Sequence, residues 1–278
     1  MTVNENLYVR YSDNLKLVWR NKMDSRLLID SAVLAGEIML RNGSETYLVE
    51  ETINKILKTQ KMKHIETVVM VTMIIATISN PDRDPITVIR RIERRQTNLN
   101  RIYLVQDVVK KYCDGKINLE TFFRNLRRIK RYNQYSEKLK DLCMILIAPL
   151  FTVMLGGNWI DAIASLICGL ILMIIMKLKK IIHHNHFIIY IIASMLISIT
   201  SVICNRIIHN NIDLAIIGAI MPIVPGVILT NSIRDSINGD YVASLARLEE
   251  AIIIALGIAL GIGVGIYLCN MIFGGVSI

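Results

Sequence analysis

The run Ala251–Phe273, AIIIALGIALGIGVGIYLCNMIF, decides the class of fold. It carries no charged residue, and about 20 apolar residues are enough to cross the hydrocarbon core of a bilayer. Four further apolar stretches precede it: Leu142–Gly157, Trp159–Met176, Phe187–Cys204 and Ile212–Leu229. Together they predict a membrane α-helical bundle of about five transmembrane helices. Gly156, Gly157 and Asn158 form a turn signal that separates the first two spans. The first stretch is short, so its helix is expected to begin near Leu139, with Lys138 and Lys140 snorkelling.

Composition supports this division. The 278 residues are 53% hydrophobic, with a mean hydropathy of +0.45, yet the net charge is +9. The charge is segregated. Residues 1–140 hold 26 Lys/Arg and 16 Asp/Glu, and residues 141–278 hold 6 and 7. A basic polar half of net charge +10 therefore precedes a membrane half of net charge −1. A wholly soluble enzyme and a collagenous, disordered or disulfide-stapled chain are excluded. The five cysteines are scattered, and they are expected to be reduced packing residues. The first thirty residues are polar and predict no cleavable signal peptide. Lys177, Lys179 and Lys180 follow the second span, which orients the N-terminus inside and the C-terminus outside the cytoplasmic membrane.

Residues 1–140 read as a cytoplasmic α+β domain, and 141–278 as the transmembrane domain. A helix is expected from Ser25 to Arg41, ended by Asn42-Gly43. Ser44 is expected to cap a second helix from Glu45 to about Gln60. His64–Ser79, rich in β-branched residues, predicts two strands. A turn at Asn80–Pro85 leads to a third strand, Ile86–Arg94, with Thr87, Ile89 and Arg91 on one face. Two amphipathic helices, Asn98–Cys113 and Asn118–Tyr132, flank Asp114-Gly115. The basic run Arg124, Arg127, Arg128, Lys130 and Arg131 is expected to touch anionic lipid rather than nucleic acid.

Several polar residues in or beside the spans are candidates for binding or gating. Pro222, Pro225 and Gly226 interrupt the fourth span, and such breaks persist at membrane depth where they are buried or line a wet cavity. Asn231, Arg234, Asp235 and Asn238 follow at i, i+3, i+4 and i+7, one face of a helix, with Asp240 beyond. An arginine and an aspartate there suit a zwitterion or a proton relay; the alternative is a solvated loop turning at Asn238-Gly239. Asp161 is a candidate gate at the outer end of the second span. Glu249 and Glu250 are placed to pair with Arg247 or Arg234. Gly257, Gly261 and Gly265 form a helix-packing face, toward the bundle or a partner. His183, His184 and His186 lack convergent ligands, so no metal is expected. The sequence has no P-loop, GxSxG or HExxH, so neither a cofactor nor catalysis is expected.

Two segments stand out together: Leu34–Thr52, LAGEIMLRNGSETYLVEET, and Pro225–Tyr241, PGVILTNSIRDSINGDY. With Gly156-Gly157-x-x-x-Asp161-Ala162, they resemble the N-terminal, larger module of the threonine/serine exporter family, from about Ser25 to about Gly274. The resemblance implies export of small hydrophilic metabolites, either amino acids or a dicarboxylate such as succinate. Fused members carry a second, smaller membrane module, so the resemblance implies a separate smaller membrane subunit as partner here. The other expected partners are the substrate and the lipid bilayer, with a homo-oligomer open. Two other functions compete: a membrane-anchored sensor or regulator acting through its cytoplasmic domain, and an intramembrane enzyme. The clustered Pro, Gly, Asn, Arg and Asp residues on the helices speak against a mere anchor. The spans lack a nucleophile–base pair.

Overall fold

The computed structural model describes residues 24–60, 62–80, 83–93, 95–132, 134–181 and 186–274. The chain divides into two compact units, each taken here by itself. The first comprises the described residues of Met1–Tyr132 together with Thr230–Arg247. The second comprises those of Asn133–Leu229 and Leu248–Ile278.

The first unit opens with helix α1, residues 24–41, and α2, Thr46–Leu57. Gly43, between them, takes φ 91°, a left-handed conformation that glycine adopts without a Cβ penalty. The expected Ser44 cap is replaced: Glu45 occupies the cap position without a side-chain hydrogen bond. Strands β1 (His64–Met70), β2 (Met73–Asn80) and β3 (Arg83–Arg91) form an antiparallel sheet in that order. Residues 81 and 82 of the expected turn lie outside the described residues. Period-2 alternation buries Ile74, Ala76 and Ile78 against the helices and leaves Ile89 exposed. Helices α3 (Leu99–Cys113) and α4 (Leu119–Arg131) follow, capped by the side chains of Asn98 and Asn118. Tyr112 stacks on Phe122 with ring centroids 4.5 Å apart, joining the two. Of the basic run, Lys130 turns away to Glu37, 2.8 Å distant, while Arg124, Arg127, Arg128 and Arg131 line a separate recess with Tyr132.

The second unit contains α5 (Glu137–Met154), α6 (Trp159–Ile181), α7 (His186–Ile208) and α8 (Ile212–Ile220). A 3₁₀ turn, Met221–Ile223, precedes α9 (Gly226–Ile237), and α10 runs over Tyr241–Phe273. The first four residues of α9 and the part of α10 from Leu248 belong to this unit. Among the described residues, α6, α7 and α10 are long and apolar enough to cross a membrane. Counting α8 with α9 as one bent span gives four rather than the expected five. Helix α5 spends its first turn on Glu137, Lys138 and Lys140, and Asp141 pairs with Lys177 at 2.6 Å. Helix α10 begins ten residues before the expected start, because Tyr241–Glu250 continues the same helical hydrogen-bonding without a breaker. Cys168, Cys204 and Cys269 are buried free thiols, but Cys143 is exposed. His183 and His184 lie outside the described residues.

The glycine face of α10 is used within this unit. A Cβ on Gly261 would overlap the Ile191 carbonyl, and one on Gly265 would overlap Ser198 Oγ. A Cβ on Gly257 would sit 3.2 Å from the Phe187 ring, a tight contact with a side chain rather than an overlap. Helices α7 and α10 thus touch backbone to backbone, as small residues at i, i+4 and i+8 permit.

Candidate functional site

The polar face of α9 forms because its sequence stops being apolar one turn after the break. Asn231, Ser232 and Asp235 are buried on it, and Gly239 (φ 87°) turns the chain into α10. Four consecutive residues of the α1–α2 junction meet this face, the turn after it or α10. Asn231 Nδ2 donates to the Gly43 carbonyl at 2.9 Å. Arg247 Nη2, from α10, donates to the Ser44 carbonyl at 2.8 Å. Arg234 pairs with Glu45. Thr46 Oγ1 lies 2.9 Å from Asp235 Oδ1 and 2.8 Å from Asp240 Oδ2. The two segments that carry the sequence resemblance therefore form one cluster in the first unit.

Asp235 is its centre. Its side chain is fully buried, with Oδ2 2.8 Å from Arg247 Nε, and Arg247 is only 5% exposed. Its Oδ1 accepts the Thr46 backbone N–H at 3.2 Å, so a carboxylate remote in sequence caps the N-terminus of α2. That supplies the acceptor that Glu45 does not, and places a negative charge at the positive end of the helix dipole. Ser232 Oγ donates to the Ser244 carbonyl at 2.8 Å, tying α9 to α10 beside the pair. Arg247 pairs with Asp235, and Arg234 with Glu45. One turn into α2, burial and then the nearby charge of Asp240 raise the Glu50 carboxyl above its ordinary range.

The other candidates lie in the second unit. Pro222 enters the 3₁₀ turn, and Val224 is extended (φ −64°, ψ 129°), as the residue before Pro225 must be. The two halves of the bent pair make an angle of 58°. Proline lacks an N–H, so the Gly218 carbonyl loses its helical donor at Pro222, and the Met221 carbonyl accepts Val224 N at 3.4 Å instead. The sequence reading missed what faces this break. Helix α5 carries Pro149, which strips the Ile145 carbonyl in the same way. Buried Thr152 donates to the Ala148 carbonyl at 3.0 Å and lies 3.3 Å from the Leu214 carbonyl. A Cβ on Gly218 would overlap Thr152 Oγ1, so α5 and α8 are in close contact here. The signals were Pro149 and Thr152, the two helix-perturbing residues in an otherwise apolar run.

Asp161 is buried in the first turn of α6. It exchanges two 2.9 Å bonds with Asn158, a reciprocal cap, and accepts the Asn211 N–H just before α8. It thereby ties the start of α6 to the start of α8. Among the described residues, no group of three or more His, Cys, Asp or Glu side chains is arranged to hold a metal ion.

Residues 30–269 match the family model described as "Putative threonine/serine exporter". A protein of Mycobacterium tuberculosis (strain ATCC 25618 / H37Rv) described as "Probable threonine/serine exporter" is 20% identical over 242 residues, covering 86% of this chain and 46% of that protein. The chain spans about half the length of that relative. No solved structure matches it.

Proposed function

The chain belongs to the threonine/serine exporter family, and from that premise we propose that it carries small zwitterionic amino acids of the threonine and serine kind across a membrane, exchanging their charges with the Asp235–Arg247 pair. The observation that carries this reading is that pair itself, a buried carboxylate and guanidinium at 2.8 Å. An ion pair closed to water can open only if something replaces both partners, since an unpaired buried charge costs several kcal/mol. The ammonium of an amino acid replaces Arg247 at Asp235, and its carboxylate replaces Asp235 at Arg247. A dicarboxylate satisfies the arginine but leaves Asp235 unpaired and repelled, so the pair favours amino acids over succinate. Thr46, Ser232 and Ser244 lie beside it and offer hydroxyls to a hydroxylated side chain.

In this reading the closed cluster is the resting gate, and the broken α8–α9 segment is the hinge that opens it. Breaks of this kind absorb backbone change at a few residues. Asp161 holds the opposite ends of α6 and α8 while the hinge moves. The driving force is a substrate or proton gradient. We assign the N-terminus to the inside, because Lys177, Lys179 and Lys180 follow the second span. A cysteine at Asn158 should then react with an impermeant thiol reagent from outside, and one at Lys177 should not. The glycine face that suggested a partner is occupied by α7, and a separate subunit rests on the family resemblance alone.

The test is efflux from proteoliposomes loaded with labelled threonine, serine or succinate. Threonine and serine are expected to leave faster than from protein-free vesicles, and succinate is not. Succinate efflux alone, or no efflux with any amino acid both with and without a family partner subunit, would overturn the proposal.

A further inference from the structure

Helix α4 presents a charged face that the Asp235 cluster does not use. Its sequence, LETFFRNLRRIKR, buries Phe122, Leu126 and Ile129 and leaves Arg124, Arg127, Arg128 and Arg131 exposed. At about 3.6 residues per turn the two sets lie on opposite sides of the helix, and the arginines form a stripe at i, i+3, i+4 and i+7. With Tyr132 they line an open recess of about 450 Å³. Among the described residues none of the four makes an ion pair, and the Arg127 guanidinium lies 5.3 Å from the centre of the Phe123 ring. Lys130, paired with Glu37, stands outside the stripe. Glu120 is the one acid of α4 and offsets a single charge, so the face stays positive.

One end of the α3–α4 hairpin also exposes apolar side chains. Arg101, in the first turn of α3, donates from Nε (3.1 Å) and Nη2 (2.8 Å) to the Tyr132 carbonyl, which fastens the start of α3 to the end of α4. Leu99 and Tyr103, one turn apart on α3, are each 66% exposed, and Tyr132 is 48% exposed. A leucine and two tyrosines held in water at the end of an arginine stripe are the mark of an interaction surface. The chain leaves this end through residues 132–136 into α5, the first helix of the unit that holds the long apolar helices α6, α7 and α10.

We propose that the arginine face of α4, with Leu99, Tyr103 and Tyr132 at its end, docks on the anionic headgroup surface of a lipid bilayer. Guanidinium forks match lipid phosphates, tyrosine rings sit at headgroup level, and Leu99 reaches the boundary of the acyl region. The apolar side chains favour lipid over nucleic acid, whose phosphate backbone gives a leucine nothing to bury against. The short tether to α5 keeps a membrane surface at high effective concentration, an advantage that no diffusing polyanion has. The inference is independent of the transport reading, because it uses none of the Asp235 cluster.

The test is hydrogen exchange of the full chain in nanodiscs of phosphatidylcholine, with or without phosphatidylglycerol. With phosphatidylglycerol, residues 99–103 and 124–132 are expected to exchange more slowly, and the protection to fade as salt rises. A basic residue near an anionic surface strengthens attachment roughly five-fold, so Arg124→Gln, Arg128→Gln and Arg131→Gln combined should weaken it roughly a hundred-fold and abolish the protection. Leu99→Ser should weaken it as well. Lys110→Gln, Lys111→Gln and Lys116→Gln combined remove the same charge from the other end of the hairpin and should leave the protection intact. A single-stranded oligonucleotide added to phosphatidylcholine nanodiscs tests the competing partner. Equal protection in the two lipids, equal loss in the lysine variant, insensitivity to both the arginine and the Leu99 variants, or protection by the oligonucleotide and not by phosphatidylglycerol overturns the proposal.

Discussion

Replacing Asp235 by asparagine isolates the charge at the centre of the cluster. The variant keeps an Oδ1 acceptor for the Thr46 N–H and hydroxyl, now at 3.2 and 2.9 Å. It replaces Oδ2, 2.8 Å from Arg247 Nε, with an amide, so two donors face each other. Removing one partner of a buried pair costs about 3–5 kcal/mol, and retention of the Thr46 bonds puts this variant at about 3, roughly a 150-fold shift in local opening. Hydrogen exchange of the segment 44–52 in the full chain reads that opening directly, since Asp235 caps α2 there. Arg247→Gln should match it. The double variant should resemble either single one, with a coupling of about 2 kcal/mol or more. Additive effects, within about 0.5 kcal/mol, would refute the view that these two residues act as a pair. The structure also revises what the sequence alone suggested. An aspartate on a solvated helix could lose its charge at normal abundance, but a fully buried one that caps another helix should lower abundance as well. Transport by this variant must therefore be compared at equal folded protein.

Gly261→Ala should lower the thermal midpoint, because its Cβ would meet the Ile191 backbone carbonyl, and overpacking costs about 1–3 kcal/mol; Gly263→Ala, which faces open space, should not. Pro225→Ala lets Val224 become helical, so it is expected to straighten the 58° bend and raise the melting midpoint while slowing transport; loss of both together would mark Pro225 as merely structural. Glu50 is raised above its ordinary pKa of 4.5, so its ionised form costs stability above the folded-state pKa and nothing below 4.5. Glu50→Gln should therefore stabilise the chain near neutral pH, in thermal melts, with the gain vanishing in acid. A gain equal at all pH values would contradict that cause.

The sequence was legible where the signal is local. The two amphipathic helices begin where expected, just after Asn98 and Asn118, and the β-branched run folds into the first two strands. The 3.6-residue period of Asn231, Arg234 and Asp235 marked a helical face that α9 presents. What was not legible is what these residues meet. Thr46 and Asp235 are 189 positions apart, and no periodicity links them. Glu249 and Glu250 looked the better partners for Arg247, since they lie next to it in sequence. On a helix, however, Glu249, two residues along, points to another face, and Asp235 reaches the guanidinium from α9. Pro222, Pro225 and Gly226 marked the interruption of the fourth span, but not the direction in which its second half leaves. Pro225 forces Val224 extended, and the second half restarts at Gly226 with a new direction.

The claim that the Asp235–Arg247 pair exchanges with both charges of its substrate is tested most directly by counterflow of labelled threonine in proteoliposomes, competed by serine, by threonine amide and by the matching 2-hydroxy acid. Threonine amide lacks the carboxylate that Arg247 would take, and the hydroxy acid lacks the ammonium that Asp235 would take. Serine is expected to compete fully and both analogues poorly. Competition by the hydroxy acid or the amide as strong as that of serine would contradict it.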